Sequence, residues 1–529
     1  MSNHDSSTPD DSDLLDVFIE GARRNAERPA VVEHGRELSY RQLDRAVHAA
    51  ALRIGARPGT IAVWTGHTPE TVVALLAVLA AGGVYCPIDP AFPPERQAAM
   101  VAAAGCAKAI GADPDRAAAL GLEPIELDPI RPEPEDLETR PALAPNGPNA
   151  PSAPNAGADS PAYLLFTSGS TGAPKPVLTP RRAISAAVPA LRELFRLTPE
   201  DRVLQFASLN WDTCFEEILP TLTAGAALVF DEAAHSGSFP RLLRMVERHR
   251  ITVLDLPTAF WHELVRHLAE ERAALPSSLR LLVIGGEPVS PARLADWHAL
   301  DTGRIRLLNT YGCTETTLIT HAAELTPGRA TAPIGRALPH VSELISEEGE
   351  LLIGGTALAL GYLDLTRDPA LAEAGATRFT TRPGRPGRWF RTGDLVDRDA
   401  EGLLVHRGRL DHQVKVRGIR VDPAEVEAHL AGHPEVGAAA VTGATLAGRA
   451  ALVAYIVPSC PDTGGGADGT ALQTLHTRVR AHLRARIPGH LVPSRITVVA
   501  ELAHTASGKV DRAATHRRHA VSTQEVDLP

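Results

Sequence analysis

Cysteine is scarce and poorly spaced for chemistry: five residues, Cys86, Cys106, Cys214, Cys313 and Cys460, are scattered through 529. Their number is odd and no CxxC or Cys/His ligand spacing occurs, so neither a disulfide framework nor a zinc site is signalled, and the thiols read as reduced and cytosolic. Basic charge in excess is also missing. A formal net charge of −10 and a pI near 6.1 provide no face-wide surplus of cations for neutralising phosphates, so nucleic acid and anionic membrane surfaces are not expected partners. No apolar run approaches transmembrane length, and the start, MSNHDSSTPDDSDLLD, is acidic and polar where a signal peptide needs a basic and then an apolar region. A cytoplasmic protein with small-molecule or protein partners is expected. Internal repeats are absent as well.

What is present is enough apolar content, 44%, to fill more than one core in a chain of this length. Apolar strands alternate with alanine-rich amphipathic helices from about Leu14 to Leu120; the helix-like 70-ETVVALLAVLAAGG-83 runs into the strand-like 84-VYCPI-88. That alternation predicts an α/β fold with parallel strands. From about 128 to 161 the composition turns to proline, alanine and asparagine, a surface linker in this reading, and residues 1–11 read as a disordered start. Further strands are predicted at 251-ITVLDL-256, 279-LRLLVIGG-286 and 304-RIRLLNTYG-312. Around 409-RLDHQVKVRGIRVDPAEVEAHL-430 the texture changes to a charged strand, a glycine turn and a helix opened by Asp422-Pro423, the start of a smaller domain. We place the boundary at Asp411, giving a large domain over 1–411 and a small, mobile α+β domain over 412–529, with a flexible insert at 458–470.

The stretch 166-FTSGSTGAPKPV-177 sets two serines, two threonines and two glycines in six consecutive positions, with Lys175 three residues beyond. Glycines let successive N–H groups converge, hydroxyls add donors and the lysine adds full charge, a recipe for a polyphosphate cradle. It is not the Walker pattern, because Gly172 is followed by Ala173 rather than lysine. A plain Ser/Thr/Gly turn is the alternative for the stretch taken alone.

Together with 38-LSYRQL-43, 81-AGGVYCPIDP-90, 309-NTYGCTET-316, 349-GELLIGG-355, 391-RTGDL-395, 408-GRLDHQVKVRGIRVDPAEVE-427, 487-IPGHLVPSRI-496 and 506-ASGKVDRAA-514, the loop resembles the adenylate-forming superfamily, specifically the amino-acid adenylation domains of nonribosomal peptide synthesis, over nearly the whole chain. Pro176 departs from the glycine usual there and leaves the mobility of the loop in question. The resemblance implies two half-reactions: a carboxylate attacks the α-phosphate of ATP to give an acyl-adenylate and pyrophosphate, and a phosphopantetheine thiol on a separate carrier protein then displaces AMP. It implies that Thr167, Ser168, Gly169, Ser170, Thr171 and Gly172 hold the β- and γ-phosphates with Lys175, that Glu315 helps bind Mg²⁺, that Tyr311 packs on adenine with Asn309 nearby, and that Asp394 accepts from the ribose hydroxyls. Gly286, Glu287, Thr310, Gly312 and Thr314 fall in the same nucleotide-binding motifs, and Arg409 would lie by ribose and phosphate. Lys509 would be the catalytic cation bridging substrate carboxylate and α-phosphate, a charge worth roughly 4 kcal/mol at contact with an effective dielectric near 20; its bland reading is a solvated lysine in a charged tail. Asp411 resembles the family hinge, with Lys415 and Gly418 serving the second half-reaction after rotation.

By the same resemblance, Asp212 in 208-SLNWDTCFEEILPTL-222 pairs with a substrate amino group, so the substrate is expected to be an amino acid. The pocket positions carried over are Asp212, Thr213, Glu216, Thr258, Val283, Gly285, Thr310, Leu318 and Ile319, closed by Lys509, with Thr258 the least anchored by its flanks. A carboxylate in a closed apolar pocket demands a cation, so Glu216 points to lysine, β-lysine or ornithine. If Glu216 instead points away, Leu318 and Ile319 suggest an apolar α- or β-amino acid. Only 20 residues follow Lys509, without a GGxS carrier signature, so a stand-alone activating enzyme is expected. An acyl- or aryl-CoA ligase, which lacks the amine-binding acid, and a catalytically silent carrier-binding scaffold are the alternatives.

Overall fold

The computed structural model describes residues 13–127, 157–168, 174–329, 331–364, 369–416, 418–446, 449–459, 469–505 and 510–520. Two compact units emerge. One is formed by Met1–Pro90, Val101–Leu165 and Pro176–Gly408; the other gathers Ala91–Met100, Phe166–Lys175 and Arg409–Pro529. The second unit thus begins its long C-terminal portion at Arg409 and also takes in the phosphate-loop segment. The 128–156 part of the expected linker, residues 1–12 and most of the 458–470 insert lie outside the described residues.

The first unit is α/β. Among the described residues its nine-stranded sheet has a parallel centre, in which strand Val253–Pro257 pairs with Leu281–Gly285 and that with Arg306–Gly312, and antiparallel edges, such as Ile319–Glu324 against Arg306–Gly312. A seven-stranded sheet runs through Thr60–Trp64 and Val84–Ile88, parallel neighbours joined by helix Pro69–Ala80. The residues 70-ETVVALLAVLAAGG-83 become that helix because nearly every side chain from Thr71 to Leu79 is buried, which suits a helix apolar on all sides and packed between sheets. A third, antiparallel sheet carries strands Val341–Ile345, Glu350–Gly355, Phe379–Arg382 and Arg385–Arg398.

The second unit is α+β. Strands Val436–Leu446, Arg449–Pro458 and Arg495–Val498 form a sheet whose apolar side, Val441, Leu452, Ala454 and Ile456, packs with Leu430, Val479 and Leu483 of two helices. Helix Pro423–Ala431 starts where Asp422-Pro423 predicts. The Asp422 carboxylate accepts from the Ala424 N–H at 3.0 Å, while proline, which has no N–H to leave unsatisfied, takes the first turn. In the hairpin Val414–Val416/Ile419–Val421, Gly418 supplies the left-handed φ of +81° that the tight turn needs.

Candidate active site

Helix Thr213–Ala224 is buried along almost its whole length, yet it carries two consecutive glutamates. Burying a carboxylate costs several kcal/mol unless something compensates, so each needs an explanation. Glu217 has a local one: its oxygens accept from the backbone N–H of Phe206 and Ala207 and from Gln205 Nε2, each at 3.0 Å. Among the described residues, Glu216 has none of this kind. Burial pushes its carboxyl well above the usual range, and the charged groups that push it further, Asp255, Asp212 and Glu217, are all acids. Asp212 stands at the helix start and makes no capping bond with its side chain.

Asp255 escaped the sequence reading. Strand Val253–Pro257 runs parallel to Leu281–Gly285 in the register Asp255 opposite Val283, and Leu281–Gly285 runs beside Arg306–Gly312 with Gly285 opposite Thr310. Directly opposed residues share a face, and so do residues two apart along a strand. Asp255, Val283, Gly285 and Thr310 therefore lie on one face of the sheet. Asp255 is only 6% exposed, and its Oδ2 has no hydrogen-bond partner among the described residues; burial pushes its carboxyl up to about 7.

Thr258 follows the end of strand Val253–Pro257. It is the first residue of helix Thr258–Glu271, fully buried, with its hydroxyl donating to the Gly285 carbonyl at 2.9 Å. Asp255, three residues earlier and still within the strand, shares the face of Val283, Gly285 and Thr310, whereas Thr258 reaches Gly285 through its hydroxyl. Thr213 is half-buried at the start of its helix. Leu318 and Ile319 pack in one apolar cluster with Val283, Leu209 and Cys214, and Leu318 is held at a left-handed φ of +62° immediately after Thr317 at +57°. Such backbone is disfavoured for branched side chains and collects at functional sites. Gly285 admits no larger residue cheaply, since a Cβ there would stand 2.5 Å from Thr310 Oγ1.

The other motif residues of the first unit assemble around Tyr311. Its hydroxyl donates to Asp394 Oδ2 at 2.6 Å, and His406 Nε2 lies 3.0 Å from Asp394 Oδ1. Asp394 is 1% exposed. Thr310 Oγ1 donates to the Ile284 carbonyl and Asn309 Nδ2 to the Pro333 carbonyl, fixing the end of strand Arg306–Gly312. Gly312 is obligatory there, as a Cβ would fall 2.0 Å from the Leu318 carbonyl oxygen. Gly286, at φ +88°, turns the chain out of its strand toward Glu287. In the turn Thr314–Thr316, Glu315 is fully buried and its Oε1 accepts from Tyr362 Oη at 3.0 Å. An oriented, hard oxygen donor of this kind fits Mg²⁺, which takes one or two carboxylates alongside substrate phosphates.

In the second unit, Ser168 Oγ donates to the Arg420 carbonyl at 3.0 Å and accepts from the Asp422 N–H at 2.9 Å. Thr167 is buried beside it, and Lys175 opens the strand Lys175–Pro180. Arg409 grips Asp411 with two nitrogens, at 2.7 and 2.9 Å, and reaches Gln413. Lys415 lies on the strand Val414–Val416. Gly169, Ser170, Thr171, Gly172 and Lys509 lie outside the described residues.

Residues 18–363 match the AMP-binding enzyme family and residues 425–509 the AMP-binding enzyme C-terminal domain. Similar proteins include an isonitrile lipopeptide synthase from Streptomyces coeruleorubidus, 38% identical over 94% of this chain and 33% of that one, and the phosphinothricin tripeptide synthetase PhsC from Streptomyces viridochromogenes, 35% identical over 95% and 45%. The chain spans less than half the length of these relatives. Among solved structures, the amide bond synthetase McbA from Marinactinospora thermotolerans is 27% identical with a TM-score of 0.78, covering 96% of this chain and all of that one. PA1221, a nonribosomal peptide synthetase protein containing adenylation and carrier domains, is 25% identical with a TM-score of 0.75, covering 96% of this chain and 84% of that one. Fold, motif order and family match agree: the chain belongs to the AMP-binding enzymes, the adenylate-forming superfamily, and is of the nonribosomal-peptide-synthetase type.

Proposed function

We propose that this enzyme activates an amino acid carrying a second, side-chain amine, such as lysine, β-lysine or ornithine, as its aminoacyl-adenylate and passes it to the phosphopantetheine thiol of a carrier protein. One observation supports the substrate class above the rest. Glu216 is a buried carboxylate that both Asp255 and Asp212 push further up, and Asp255, itself buried, has an oxygen without a hydrogen-bond partner among the described residues. An arrangement this costly makes sense if the ligand brings positive charge. Asp212 would take the amine near the reacting carboxylate, as in the family, and Glu216 with Asp255 the distal ammonium.

In the first half-reaction a substrate carboxylate oxygen bonds to the α-phosphorus while the bond to the pyrophosphate oxygen breaks. Both partners are anionic, so the protein's task is positioning and neutralisation. Tyr311 and Asp394 would orient base and ribose, the 167–172 loop and Lys175 the outer phosphates, and Lys509 would bridge carboxylate and α-phosphate. Mg²⁺, held by Glu315 and the phosphates, would supply additional neutralising charge. In the second half-reaction a thiol sulfur bonds to the acyl carbon and AMP departs.

A panel of ATP–pyrophosphate exchange assays tests the reading. Diamino acids should exchange best, with neutral analogues of equal length at least tenfold poorer in kcat/KM. Preference for norleucine over lysine would reject the basic pocket, and exchange driven only by aryl or fatty acids would reject amino-acid activation. One observation favours a different fate for the adenylate: the fold likeness to an amide bond synthetase. Incubation with a free amine and with a holo-carrier protein, read by mass spectrometry, separates amide from thioester.

A further inference from the structure

Tyr311 is 5% exposed, so the little of its ring that a ligand can touch is governed by how the ring is held. Among its contacts beyond Asp394, two come from strand Ile319–Glu324. Strand Ile319–Glu324 places His321 directly across from Tyr311, and the imidazole meets the phenol ring edge-on, with centroids 5.8 Å apart and planes at 72°. Thr320 Oγ1 donates to the Tyr311 carbonyl at 3.1 Å and lies 3.0 Å from His321 Nδ1. The histidine is wholly buried, and its other nitrogen, Nε2, lies 2.9 Å from Glu343 Oε2 on strand Val341–Ile345. Arg398 bonds the second oxygen of Glu343.

Glu343 is held down to about 2, first by the His321 hydrogen bond and then by Arg398, so it stays a carboxylate anchor at any working pH. Arg398 and Asp394 belong to one strand, Arg385–Arg398. The chain Arg398, Glu343, His321, Tyr311, Asp394 therefore closes on itself, tying the edge of the nine-stranded sheet to the antiparallel sheet with Tyr311 between.

We propose that His321, anchored by Glu343, is a positioning residue for nucleotide binding: it sets the orientation of the Tyr311 ring against which the base of ATP packs. This rests on the reading of Tyr311 as the adenine contact. A buried histidine bonded at both nitrogens is a rigid wedge, and its edge abuts the aromatic ring. Removing it takes away the contact on this side of the ring and leaves Tyr311 held by its hydroxyl, its carbonyl and the apolar cluster it shares with Ile334, Leu351 and Phe390.

The test compares ligands that carry the base with those that do not. In His321→Leu, the AMP dissociation constant by calorimetry and the KM for ATP in pyrophosphate exchange should each rise about tenfold. The KM values for pyrophosphate and amino acid should stay within about twofold, a split that general loosening would not produce. Glu343→Gln, which keeps an acceptor for the imidazole but not the charge, should raise the AMP constant by about threefold, and it serves if His321→Leu does not fold. Unchanged AMP affinity in both variants, or a parallel rise in all four constants, overturns the proposal. Tyr311→Leu separates the two layers: if it also leaves AMP binding unchanged, the nucleotide-site reading fails and takes this inference with it, whereas if it weakens AMP while His321→Leu is silent, only the inference fails.

Discussion

Asp255→Asn isolates the cost of keeping an acid in the pocket. In the folded protein burial raises this carboxyl from 3.8 to about 7. Each unit is worth about 1.4 kcal/mol, so ionising Asp255 costs the fold on the order of 4 kcal/mol through its burial. The sign follows from proton counting. Between pH 4 and pH 7 the folded state retains a proton that the unfolded chain has released, so stability falls as pH rises across that window and levels off above it. Asparagine has nearly the same shape and carries no charge, so the variant should match the wild type near pH 4 and exceed it at pH 8.

The assay is thermal or urea unfolding at pH 4.5, 6 and 8, resolving the transition of the larger unit. Each kcal/mol moves the midpoint by roughly 2–4 °C in domains of 150–250 residues, so a shift of several degrees is expected at pH 8 and little at pH 4.5. Function should move the other way. A diamino substrate needs the ionised carboxylate, so wild-type kcat/KM should climb with pH up to about 7, while the variant is weaker by tenfold or more and loses the part of the climb that Asp255 contributes. Saturating lysine should erase the stability gap by repairing the wild type. A variant equally destabilised at every pH, or more active toward diamino acids, would refute the idea that Asp255 is a strained acid awaiting a cation.

Glu216→Gln should raise KM for diamino acids at least tenfold while barely changing exchange with a neutral analogue, measured side by side. Thr258→Val removes a hydroxyl whose bond goes to the Gly285 carbonyl; a loss of about 1 kcal/mol in stability without any change in substrate ranking is expected, and a changed ranking would place Thr258 in the pocket. The chain contains only four lysines, Lys108, Lys175, Lys415 and Lys509, which makes amine-reactive labelling informative. ATP should protect Lys175 and Lys509 but not Lys108 in peptide mapping, and unprotected Lys509 would contradict its role beside the α-phosphate. Lys509→Ala should abolish adenylate formation while AMP still binds by calorimetry.

What the sequence made legible was local. The helix Pro69–Ala80, the strands leading to Gly285 and Gly312, and the Asp422-Pro423 helix start are each written within a few residues, because burial on all sides and capping are short-range matters. Glu216 could be flagged because two glutamates inside an otherwise apolar helix have no cheap explanation. Asp255 offered a similar signal, a lone acid within VLDLP, but its meaning depends on the register that sets it opposite Val283. Register between parallel strands depends on crossovers, here the 23 residues between Pro257 and Leu281, which no local pattern records. The same reason hid the grip on Tyr311: Glu343 is 22 residues from His321, and Arg398 is 55 from Glu343. Family motifs mark side chains that meet the ligand; the partners that hold those side chains come from sheet packing, where the same job can be done by different residues at different separations. Substrate choice belongs to this second kind of information. Under the proposed function it would turn on buried acids such as Glu216 and Asp255, whose company is a property of the folded packing rather than of any stretch of sequence.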